Sequence, residues 1–155
     1  MASRQPPQEG PFLSAALICD RVLEEKDGTK SAIRIIDRIT RTVVDFSPPE
    51  EMEPFQWEGT LLIRLKSGWA RGSYPLTIKL VKPSGETPPP FQYTAFFEGE
   101  EDRGVDFVVN MRIKFDQTGI YWFKIFLKDS LLTQIPLRVV YLPQVRQVPE
   151  RGAES

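Results

Sequence analysis

The stretch from Val109 to Tyr141, VNMRIKFDQTGIYWFKIFLKDSLLTQIPLRVVY, decides the fold. Val109, Met111, Ile113 and Phe115 alternate with Asn110, Arg112 and Lys114. After Asp116-Gln117-Thr118-Gly119 the alternation resumes at Tyr121, Phe123, Ile125 and Leu127. After Lys128-Asp129-Ser130 it resumes again at Ile135, Leu137, Val139 and Tyr141. A period of two sends successive side chains to opposite sides of a strand, so this stretch reads as three strands, each with one apolar face. The segments between them are short enough to join antiparallel neighbours.

The same grammar runs upstream. Leu61, Ile63 and Leu65 alternate with Arg64 and Lys66, and Leu76, Ile78 and Leu80 alternate with Thr77 and Lys79. Pro83-Ser84-Gly85-Glu86 is a turn, and Tyr93, Ala95 and Phe97 mark another strand that ends in the acidic turn Glu98–Asp102. Near the N-terminus, Phe12 to Leu23 reads as a strand. The Asp27-Gly28 dipeptide suits a tight hairpin, and Ser31 to Val43 is the return strand, rich in β-branched residues. A helix competes there, because Ile35, Ile36 and Ile39 fit a helical face, but one turn earlier that face offers only Ala32. Residues 45–56 form a proline-rich acidic connection. The chain is therefore expected to be all-β, an antiparallel β-sandwich of about eight strands, immunoglobulin-like or related. Residues 1–10 read as a disordered lead, 11–142 as one sandwich domain and 143–155 as a flexible tail.

Composition agrees with one domain. At 155 residues the chain can bury about two-thirds of its unfolded surface, and 10 Phe, 4 Tyr and 3 Trp supply large core side chains. The net charge of −1 gives no global pull toward nucleic acid or membranes. Cys19 is the single cysteine, which excludes an intrachain disulfide. The apolar run Phe12–Cys19 is too short to span a bilayer and is followed by no small-residue cleavage site, so no membrane span and a cytoplasmic location are expected. Ile18 stands where a lipid-modified cysteine needs a small neighbour.

Two stretches carry resemblances. Ala16-Leu17-Ile18-Cys19-Asp20, Asp27-Gly28-Thr29-Lys30-Ser31 and Ile35-Ile36-Asp37-Arg38-Ile39 together resemble the opening hairpin of a family of small bacterial β-proteins of unknown function. Here Thr29 is an addition to that family's turn. Thr118–Ile125 followed by Pro136–Val140 is similar to the closing hairpin of many immunoglobulin-like sandwiches. The resemblances imply a fold and a bacterial origin, and carry no catalytic residue with them.

The chain contains no histidine, which removes histidine-dependent triads, histidine-ligated metals and a histidine pH switch together. One cysteine cannot build a zinc or iron–sulfur site, and neither GxxxxGK[ST] nor GxGxxG occurs. The expected protein is not an enzyme and needs no cofactor or metal. Cys19, within an apolar strand, reads as a buried inert thiol. Asp20 and Asp37 lie at similar heights on paired strands and could form a polar or cation site. The structural reading is preferred: an ion pair with Arg21 or Arg38, or a bulge at Ile35-Ile36 that turns Asp37 outward. The acidic groups Glu24, Glu25, Asp27 and Glu98, Glu100–Asp102 lack calcium-loop spacing and read as solvated turns.

Charge placement is the most informative surface feature. Twelve basic residues, Lys79, Arg112, Lys124 and Arg138 among them, fall in the windows 31–42, 61–66, 76–82, 108–115, 121–128 and 135–141, where Asp37 is the only acid. Lys and Arg on solvent faces protect sheets from edge pairing, and they also suit an anionic partner. The leading functional reading is a non-enzymatic protein-interaction module with a protein partner, its candidate contacts being Trp69, Arg71, Trp122, Lys124 and Arg112, with Trp57 a further aromatic. The alternative is a sandwich that binds an anionic polymer or lipid surface through its basic sheet faces, although near-neutral charge disfavours nucleic acid. A third is carboxylate or Ser–Lys catalysis in a pocket holding Asp20 or Asp37. Homo-oligomerisation is compatible with each.

Overall fold

The computed structural model describes residues 9–147, so residues 1–8 and 148–155, which hold most of the expected lead and tail, lie outside the described residues. Nine strands follow one another: β1 (Phe12–Glu24), β2 (Lys30–Ile35), β3 (Arg38–Asp45), β4 (Phe55–Lys66), β5 (Arg71–Val81), β6 (Phe91–Glu98), β7 (Gly104–Phe115), β8 (Gly119–Leu127) and β9 (Ser130–Val145). They form a four-stranded sheet in the order β2-β1-β4-β7 and a five-stranded sheet in the order β3-β9-β8-β5-β6. The period-two residues of the sequence meet between the sheets: Leu61, Ile63 and Leu65 of β4 and Met111 and Phe115 of β7 face Leu76 and Ile78 of β5 and Tyr121, Phe123 and Ile125 of β8. No helix among the described residues is long and apolar enough to cross a membrane.

The strand count exceeds the expected eight because the return strand is two strands. Ile36 still donates its N–H to Ile18 O at 2.8 Å, but from Arg38 the chain has left β1 and pairs in parallel with β9, from Arg38 opposite Arg138 to Asp45 opposite Val145. A sheet switch leaves the β-branched pattern unbroken, so periodicity cannot see it. The β3–β9 pair also departs from an all-antiparallel sandwich. It carries β9 past Pro143 to Val145, where the sequence reads as tail. Beyond Val139 the strand pairs with β3 alone, and a free edge tolerates proline.

The alternating sheets, with β1, β4 and β7 in one and β9, β8, β5 and β6 in the other, have the crossed connectivity of an immunoglobulin-like sandwich. A tyrosine corner supports the same assignment. Tyr121, fully buried near the start of β8, accepts a hydrogen bond from Gln117 N at 3.1 Å across the Asp116–Gly119 turn. Gly119 completes that turn at a φ of +119°, which side-chain-bearing residues rarely adopt.

The β1–β2 hairpin does not lie flat. β1 pairs with β4 only as far as Cys19 opposite Thr60; at this point Arg34 takes a left-handed φ of +56° and its guanidinium pairs with Asp20 at 3.1 Å. The hairpin then folds back over the outer side of its own sheet. Lys30, on one edge strand, reaches Asp106, on the opposite edge strand, at 3.1 Å. This arm roofs Cys19, Thr60 and Leu62, which are buried although they stand apart from the main core.

Candidate functional site

The two sheets treat their basic residues differently. On the outer side of the four-stranded sheet four cations are matched, while Lys114, beside Arg112 on β7, makes no ion pair among the described residues. Arg64 and Lys30 hold Asp106 at 3.0 and 3.1 Å, Arg112 holds Glu58 at 2.7 Å, and Lys66 donates to Asp102 O at 2.8 Å. Burial works against the Asp106 charge, but the hydrogen bonds from Arg64 and Lys30 outweigh it and hold the carboxyl below its ordinary range.

On the five-stranded sheet the cations of β5, β8 and β9 make no ion pair among the described residues. Strands β5, β8 and β9 contain no acidic residue. Lys79 and Lys124 stand directly opposite one another, and neither they nor Arg138 makes an ion pair among the described residues. Like charges directly opposite across a ladder destabilise it, so this pair is a cost to the fold with no counter-charge in view. Period two sets Trp122 and Phe126 on either side of Lys124 on the same outer surface, while Gln134 of β9 lies opposite Lys124. Leu131, opposite Phe126, is 46% exposed and Phe96 of β6 is 60% exposed, so the surface is apolar and cationic together.

The other candidates lie elsewhere and are occupied. Trp69 remains half exposed in the β4–β5 loop, but its indole N–H donates to Glu101 at 2.7 Å and its backbone N–H to Glu9 O at 3.0 Å. Arg71 opens β5 opposite Glu98, with its side chain laid across Gly99. Arg112 belongs to the opposite sheet, so the five candidates divide among three places: Trp69 and Arg71 where the β4–β5 loop enters β5, Trp122 and Lys124 on β8, and Arg112 alone. Trp57 packs against Phe115, their ring centroids 5.5 Å apart.

Asp20 pairs with Arg34 rather than Arg21 or Arg38, while Asp37 is exposed in the β2–β3 link. Both border a recess of about 500 Å³ with Arg34, Ile36 and Trp57. A larger recess of about 950 Å³, edged by Glu50, Glu51, Asp116 and Arg138, lies beside the tyrosine corner. There, too, charge is internal: Lys82 holds Asp116 at 3.1 Å. Cys19 is fully buried, and burial, with the neighbouring Asp20 charge, pushes its thiol up in pKa. The acidic turns serve local bonding: Asp27 accepts from Thr29 N at 3.0 Å, and Glu100 pairs with Arg103 at 2.9 Å. No cluster of three or more potential metal ligands occurs among the described residues.

What sequence reasoning lacked was the Lys79–Lys124 pairing. The two basic residues were visible, but their registration across β5 and β8 is a tertiary fact; the alternation of Trp122, Lys124 and Phe126 was its only local signal.

Comparison with known proteins bears on the family. No curated protein matches the chain. An immunoglobulin-like protein from Pseudomonas aeruginosa, known from its crystal structure, is similar over 86% of this chain and 99% of its own, with 17% identity and a TM-score of 0.41. The model of a family of unknown function (DUF6941) matches residues 14–140, most of the sandwich from β1 into β9, and the chain belongs to that family.

Proposed function

We propose that this protein is a non-enzymatic interaction module that takes an acidic segment of a partner protein onto the outer surface of β5, β8 and β9. The observation that carries the reading is the unmatched Lys79–Lys124 pair between Trp122 and Phe126, on strands without a single acid. A carboxylate placed between the two ammonium groups relieves their repulsion, and the flanking rings supply the apolar area that anchors protein interfaces. Interleaved aromatic and aliphatic side chains with only a few cations suit an acidic peptide better than a uniformly charged polymer.

The test is calorimetric titration with peptides that mix Asp and Glu with Leu and Val, alongside heparin and anionic vesicles. Lys124→Glu is expected to weaken peptide binding at least about tenfold, as loss of a buried interfacial charge pair does. Lys124→Thr should also lose affinity, yet stabilise the free protein by about 0.2–1 kcal/mol in chemical denaturation by removing the cross-strand repulsion. Binding that is confined to heparin or vesicles and collapses with salt overturns the protein-partner reading in favour of a polyanion. Peptide affinity indifferent to Lys124 moves the site away from this surface.

A further inference from the structure

From the four edge strands we infer that β6 is a self-association site, at which two copies of this chain join their five-stranded sheets into one. This does not depend on the proposed ligand of the sheet face. An unpaired edge is a template for another strand, and proteins blunt such edges with charge, proline or a covering segment. Three of the four edges are blunted by charge: β2 carries Lys30 and Arg34, β3 carries Arg38 and Arg41, and β7 carries Arg112 and Lys114. A second copy of the strand brought to any of these meets charged side chains rather than a neutral edge. β6 differs. From Phe91 to Phe97 (FQYTAFF) it has no charge and no proline, and Glu98 comes only at its end.

The occupant is a second copy because the strand is complementary to itself. Antiparallel pairing of a strand with its own copy is an isologous contact about a two-fold axis, the symmetry of most dimers, and a neutral strand bears no charge that such symmetry would set against itself. An axis at Thr94 places Phe96 against Gln92 of the second copy, with Phe96 on the outer side, and keeps Glu98 away from its own mate. Phe96, 60% exposed, then loses its contact with water, and so does the accessible part of Tyr93, which lies 5.9 Å from the Phe107 ring at the open end of the sandwich. The dimer so formed carries two copies of the β5–β8–β9 surface on one continuous sheet.

Sedimentation equilibrium of the full chain tests this, with Phe96→Lys and Thr94→Lys as edge-blocking variants. Both positions are exposed, so circular dichroism and melting should show the fold intact. The wild type is expected to sediment as a dimer and each variant as a monomer. Thr94→Cys should cross-link spontaneously in air, because Cys19 is buried and leaves the new thiol as the accessible one. A wild-type protein monomeric at every soluble concentration overturns the inference. So does a dimer whose mass is unaffected by both lysine variants, which must associate elsewhere.

Discussion

Tyr121→Phe is expected to lower stability by about 1–3 kcal/mol, read from the urea midpoint, with the slope of the transition unchanged. Tyr121 is fully buried, with its ring edge-on to Phe115 at 4.7 Å, and phenylalanine preserves that packing. What it removes is the acceptor for Gln117 N–H. The hydroxyl also reaches Asp116, which in turn holds Lys82. The lost oxygen leaves a backbone donor without its partner in the turn that passes the chain from one sheet to the other. Tyr121→Ala adds a cavity and should cost about 3–5 kcal/mol, so the difference between the two variants separates the corner hydrogen bond from the ring.

Asp106→Asn is expected to release the β1–β2 arm. Asp106 is the acceptor that two cations share, one from its paired neighbour β4 and one from the arm itself, and hydrogen bonds to a charged group contribute about 1.5–3 kcal/mol. Two readouts follow. The melting temperature drops, and Cys19, inert to an aromatic disulfide reagent in the wild type, becomes reactive in the native state, because the arm is what covers it. The acid dependence has a definite sign. The folded pKa of Asp106 is depressed, so its contribution is complete above the unfolded carboxylate value of about 3.9 and is lost as pH falls through the folded value. The wild type should therefore lose stability below about pH 4 more steeply than Asp106→Asn. Equal acid slopes, or a Cys19 that stays inert while stability falls, would show that Asp106 does not hold the arm.

The sandwich was legible because both faces of its central strands are written in alternation: Leu61, Ile63 and Leu65, or Tyr121, Phe123 and Ile125, could be buried together in no other way. The arm and the sheet switch were not legible. The bend at Asp20 and Arg34 depends on one residue adopting a left-handed conformation in a strand that otherwise looks continuous. The move of β3 to β9 is a pairing between residues about a hundred positions apart. The candidate site was half legible for the same reason. Trp122, Lys124 and Phe126 share a phase that sequence shows, whereas the opposing Lys79, and the matching of Arg112 by Glu58 that removes it from contention, are cross-strand facts. Trp69, a candidate contact in sequence, is exposed, but its polar edge is already bonded to Glu101.

The most direct test of the account is an amide-resolved NMR titration of the isotope-labelled protein with an acidic peptide that binds it. If the outer surface of β5, β8 and β9 is the docking face, shifts should concentrate on Thr77–Val81, Trp122–Phe126 and Leu131–Arg138 and vanish in Lys124→Glu. Shifts centred on Trp69 and Arg71, or spread over the Arg112 side of the opposite sheet, would contradict it.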